Sequence, residues 1–102
     1  MINDKSILIC KDLKFYSKKD ENVFFEWINK IDCIDSTSVH LNEFHLYMAS
    51  DELEDDALRN LLALFYRYKL DMSQLKRFLT KDNKKWFFDK KYPGYWNKKV
   101  FG

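Results

Sequence analysis

From Leu53 onward, apolar residues return at Ala57, Leu58, Leu61, Leu64, Phe65 and Tyr68. Steps of three and four put these side chains on one stripe of a helix with 3.6 residues per turn. Leu62 and Tyr66 widen the stripe. Asp51 with Glu54 three residues later forms a capping-box pair, and Asp55 and Asp56 add negative charge near the positive end of the helix dipole. Arg67 and Lys69 lie near the other end. A second acceptor-led start, Asp71 with Gln74, precedes Leu75, Phe78 and Leu79. The pattern predicts two consecutive helices over Asp51 to Leu79, with the rest of the chain packed around them.

Upstream the period changes. Ser6 to Cys10, SILIC, is a β-branched apolar run that suits an edge or central strand, with Leu13 to Tyr16 continuing it after a kink. The polar SKKDEN reads as a turn leading into VFFEWINKI, where Val23, Phe24, Trp27, Ile28 and Ile31 have helical spacing. CIDSTS is expected to end that helix, because Ser, Thr and Asp side chains bond to nearby backbone and favour turns. From Val39 to Ala49, Phe44, Leu46 and Met48 alternate with Glu43, His45 and Tyr47, the period of two expected of a central strand with one buried face.

After the helix pair, KDNKKWFF predicts a short helical turn from Asp82 or Asn83, with Trp86 and Phe87 docked on the main helix. Pro93 and Gly94 suit a type II turn. The ending YWNKKVFG is expected to be a short extended segment. Together these elements predict one α+β domain over residues 1–102, a mostly antiparallel sheet packed against a helix pair.

Composition narrows the class. With 102 residues, 46% hydrophobic, two Gly and one Pro, the chain has the material for one packed core and little for linkers. No apolar run approaches the ~20 residues that span a bilayer, and the first residues lack a signal-peptide core, so a cytoplasmic protein is expected. Cys10 and Cys33 are able to form one disulfide, but that compartment favours reduced thiols.

Residues 1–75 carry nine Lys/Arg against fourteen Asp/Glu, and residues 76–102 nine against two, so −5 and +7 give the net +2. This asymmetry raises the question of an electrostatic binding face.

No reaction chemistry emerges. Five residues apart on one strand, His40 and His45 would face opposite sides, and no metal spacing is present. With glycine only at 94 and 102, no phosphate loop is possible. The carboxylates from Asp51 to Asp56 lack the spacing and glycine of a calcium loop. No cofactor, metal or catalytic residue is expected. Lys84, Lys85, Trp86, Lys90, Lys91, Tyr92, Tyr95, Trp96, Lys98 and Lys99 interleave charge and rings as a single-strand nucleic-acid platform does, but without a recognisable RNA-binding motif.

The pieces LRNLLALFYRY, LDMSQL, NKKWF and YWNKKVFG, within the C-terminal half, resemble immunity proteins of contact-dependent growth inhibition systems (CdiI type) paired with ribonuclease toxins. The resemblance implies a cytosolic binder of one cognate toxin domain, one to one, with no chemistry, membrane or nucleic-acid contact of its own. A ribonuclease cleft must attract phosphate and is therefore basic, so an inhibitor gains by presenting carboxylates. Since Asp51 and Glu54 are assigned to capping, Glu52, Asp55 and Asp56 become the expected toxin contacts. Tyr92, Tyr95 and Trp96 form the next candidate surface. The alternative function is a nucleic-acid-binding accessory domain using the basic aromatic C-terminal segment.

Overall fold

The computed structural model describes residues 6–89 and 94–102. Three strands, β1 (Ile7–Lys11), β2 (Ile34–His40) and β3 (Glu43–Met48), form an antiparallel sheet in the order β1-β3-β2. The helices are α1 (Lys18–Asn29), α2 (Asp55–Arg67), a 3-10 helix (Met72–Phe78), α3 (Lys84–Phe87) and α4 (Asn97–Phe101). The expected α+β class and mostly antiparallel sheet are both present.

The alternation in β3 places this strand at the centre of the sheet, with Leu46 and Met48 fully buried. Leu8 and Cys10 of β1 share that face, and they join Phe24 and Ile28 of α1 and Leu58, Leu61, Leu62, Leu64 and Phe65 of α2 in one core. Antiparallel sheets need only one covered face. Opposite the core, Glu43, His45 and Tyr47 line up with Ile7, Ile9 and Lys11 on one side and Ser36, Ser38 and His40 on the other.

Several boundaries differ from the expected ones. Residues Leu13 to Tyr16 do not extend β1, because Asp12 turns the chain with φ 56°. SKKDEN is the start of α1 rather than a turn before it. Ser17 caps the helix by accepting from the Asp20 backbone N–H at 3.0 Å, and the Asp20 carboxylate accepts from the Tyr16 N–H. Val23 lies on the outer side of α1, 43% exposed.

The segment predicted as a turn, within CIDSTS, is the beginning of β2. It shows no alternation because most of the strand is exposed, and its order comes from pairing with β3. The expected single strand from Val39 to Ala49 is broken by a two-residue hairpin turn, Leu41 and Asn42. Leu41 occupies the left-handed region at φ 56° and is 98% exposed.

α2 starts at Asp55 with Glu54 as its cap residue and no side-chain cap bond, so the Asp51–Glu54 capping box does not form. Asp51 instead accepts a hydrogen bond from the Ser6 hydroxyl, tying the segment after β3 to the start of β1. The helix ends with Lys69 at φ 57°, the Leu70 N–H bonded to the Phe65 carbonyl at 2.9 Å, the pattern of a Schellman cap. Tyr66 is 47% exposed and belongs to the outer face of α2, not to its buried stripe.

The second predicted helix is a 3-10 helix. Asp71 caps it by accepting from the Ser73 N–H. Gln74 does not complete a capping box; its side chain reaches β1. α3 begins after Asn83 as expected, whereas the C-terminal residues form helix α4 and not an extended segment, with α4 packed on the 3-10 helix. Pro93 lies outside the described residues. Gly94 has a packing reason: a Cβ there would fall 2.4 Å from the Trp96 ring.

Candidate functional site: the outer face of α2

The residues that precede and open α2 present Glu52, Asp55 and Asp56 to solvent. Their carboxylates have no hydrogen bond or ion pair among the described residues. Several other acids are engaged within the chain, among them Asp20 with Tyr68, Asp51 with Ser6, Asp71 with Ser73, and Glu43 with Lys11, although Glu54 beside the cluster is exposed as well. The backbone around the cluster is held firmly. The Glu52 N–H donates to the Ser50 hydroxyl, and the Asp56 carbonyl accepts from the Asn60 amide at 2.9 Å. Asn60 in turn accepts from the Trp27 indole N–H at 3.1 Å, which fixes α1 against α2 beside the acids.

One turn below Asp55, the Arg59 guanidinium carbon sits 4.0 Å from the centre of the Trp86 ring, a cation–π contact. Two further turns along, Tyr66 meets Tyr95 edge to face at 4.8 Å between ring centres. Burial raises the Tyr95 phenol above its ordinary value, with nearby Arg59 opposing the shift and Tyr66 adding to it. Asp55, Arg59 and Tyr66 lie at i, i+4 and i+11 on the helix, so the ridge from carboxylate to phenol is about 17 Å long at 1.5 Å per residue.

The aromatic candidates divide. Tyr95 is 49% exposed and available. Trp96 is buried, its indole N–H donating to the Phe87 carbonyl at 2.9 Å and its ring meeting Trp86 and Tyr95 edge to face. It is part of the core and not a contact surface, because the side chain is only 9% exposed. Tyr92 lies outside the described residues. Tyr66 and Arg59 were missed as surface residues because Tyr66 falls at a spacing that widens the apolar stripe, and only packing shows which flank is covered.

The histidine pair is a second correction. The hairpin turn places His40 on β2 and His45 on β3, on the same face, with ring centres 4.6 Å apart. His45 Nε2 is 3.1 Å from Glu43 Oε1, and Lys11 Nζ is 3.5 Å from the other carboxylate oxygen. The bond to His45 is the main reason the Glu43 carboxyl lies below its usual value, and Lys11 adds to it. No group of three or more His, Cys, Asp or Glu suited to a metal occurs among the described residues.

Cys10 and Cys33 are free thiols. On the basic segment, Lys81, Lys84 and Lys85 surround Phe88 and Asp89 at an open groove of about 540 Å³. None of the described helices is long and apolar enough to cross a membrane. Comparisons with protein families, curated protein sequences and solved structures find no match to this chain.

Proposed function

We propose that this chain is an immunity protein that binds the ribonuclease toxin domain of a contact-dependent growth inhibition system, one to one in the cytoplasm, and closes its active site. The observation that carries the proposal is the cluster Glu52, Asp55 and Asp56, exposed within five residues and unpaired among the described residues. Free carboxylates grouped at one end of a rigid helix attract a basic, phosphate-binding cleft over a distance and dock in it without first breaking internal ion pairs. Arg59, Tyr66 and Tyr95 extend the surface along α2. Exposed tyrosines flanked by arginine make effective anchors in protein interfaces.

The same geometry favours a protein partner over nucleic acid. A single-strand platform needs rings free to stack on bases. Among the described residues of the C-terminal segment, Phe87 and Trp96 are buried and Trp86 lies beneath Arg59, leaving Tyr95 as the exposed ring. Tyr95 turns toward Tyr66. The test is co-expression with the cognate toxin domain: co-purification as an equimolar complex and protection of a sensitive cell are expected. Binding of mixed single-stranded RNA with steep salt dependence and no toxin binding would replace the proposal with the nucleic-acid function.

A further inference from the structure

The two edges of the sheet are treated differently. On β1, the outward backbone groups of Ile9 are covered by Gln74, which accepts from the N–H at 2.7 Å and donates to the carbonyl at 2.9 Å. β2 has no such cover. His40 of β2 and Glu43 of β3 flank a two-residue turn and form a hydrogen-bonded pair, so by antiparallel alternation Ser38 also bonds to β3 while Thr37 and Val39 direct N–H and C=O groups outward. No backbone or side-chain partner meets these four groups among the described residues. Natural edges are usually blunted by lysine, proline or a bulge. Between Ser36 and His40 there is none, and the irregularity at Asp35 lies outside that stretch. Val39 is 69% exposed although it lies on the core side of the sheet, beside Phe44.

We infer that β2 is a self-association edge, pairing antiparallel with β2 of a second copy about a two-fold axis at Ser38. This register follows from the free groups. It sets Thr37 of one copy opposite Val39 of the other, twice, so every outward N–H and C=O of those residues finds a partner in four backbone hydrogen bonds. Registers centred on Thr37 run into the irregularity at Asp35. The pairing also keeps faces matched. Thr37 and Val39 meet on the core side as a β-branched pair, burying the exposed Val39, while His40 meets Ser36 on the opposite side. No charged side chain faces its own copy, because Ser38 is on the axis. The two three-stranded sheets become one of six strands. A contact confined to one strand edge is small against the ~800 Å² per partner of a stable interface, so the dimer is weak and concentration-dependent.

Sedimentation equilibrium of the full chain, over about 10 μM to about 1 mM where weak association is measurable, tests this. The apparent mass is expected to rise from 12.5 kDa toward twice that value. Ser38→Lys and Ser38→Glu should each remain at the monomer mass through like-charge repulsion across the axis, and mixing them in equal amounts should restore the dimer. Val39→Lys, at an exposed position, should also be monomeric, with circular dichroism confirming that each variant is folded. A wild-type chain that stays monomeric throughout, dimers that persist in folded Ser38→Lys and Val39→Lys, or a mixture that fails to associate would each overturn the assignment.

Discussion

Gln74 and Ile9, 65 positions apart, are joined by two hydrogen bonds that let one side chain stand in for a neighbouring strand. The amide supplies an acceptor and a donor at the spacing of a backbone ladder, and so ties the 3-10 helix to the sheet. Gln74→Ala should lower stability by about 1 to 3 kcal/mol, since it leaves two backbone groups of β1 without their partners. Denaturant unfolding measures the loss, and amide exchange at Ile9 should accelerate more than at Leu46 in the central strand. Unchanged exchange at Ile9 would show that the side chain does not protect the edge.

Leu61 and Phe65 are fully buried where α2 meets the rest of the core. Leu61→Ala and Phe65→Ala should each cost about 2 to 5 kcal/mol, the usual range for large-to-small core changes. Tyr66→Ala, next in sequence on the outer face, should cost about 0.5 to 1.5 kcal/mol, mainly its edge-to-face contact with Tyr95. Equal losses at Phe65 and Tyr66 would contradict the assignment of faces.

Gly94 and Trp96 form a close-packed pair, since a methyl group at position 94 would sit 2.4 Å from the indole. Gly94→Ala is therefore expected to destabilise by about 1 to 3 kcal/mol through overpacking. Tryptophan fluorescence should report the displaced ring, and the double variant Gly94→Ala with Trp96→Phe should lose less than the sum of the single losses.

Burial pushes the Cys10 thiol up to about 12 and the Cys33 thiol to about 11, from 9.0. With folded values above the unfolded one, their contribution to stability is complete below pH 9.0 and is lost as the pH rises through 11 to 12. The unfolded chain releases its protons first, so alkali favours unfolding. Cys10→Ala should be less stable at neutral pH yet show a shallower fall in stability above pH 9.0, as measured by urea unfolding across that range.

Much of this architecture is legible where burial imposes a period. The stripe of α2 and the alternation of β3 each have one face in the core, so the sequence repeats at 3.6 and at 2. β2 carries no such mark: Asp35, Ser36 and Thr37 are exposed, and their turn-forming tendency is overridden by pairing with β3. The hairpin was hidden for a related reason. Its turn uses Leu41, a residue that rarely takes positive φ, so no Asn-Gly or Asp-Gly signal separates the strands and the His40–His45 contact cannot be seen from their spacing. In α4, five residues are too few for a helical period to show. The acidic candidates were legible as exposed because Leu53 and Leu58 fix which side of the segment turns inward. Trp96 was not, because in the short Tyr95–Trp96–Asn97 stretch no period says which of two adjacent rings is covered.

Under the proposed function, Glu52, Asp55 and Asp56 draw the toxin's basic cleft onto the start of α2. The decisive measurement is the association rate of the toxin domain with wild-type protein and with the variant carrying Glu52→Lys, Asp55→Lys and Asp56→Lys, at low and high salt. Losing three favourable charges should slow association most at low salt and flatten its salt dependence, since screening acts on charges separated by more than ~10 Å at 0.1 M. The thermal midpoint should fall only modestly, because each acid near the helix start contributes about 0.3 to 1 kcal/mol through the dipole. A folded triple variant that binds the toxin at the wild-type rate, with the same salt dependence, would contradict the claim and move the interface away from this face.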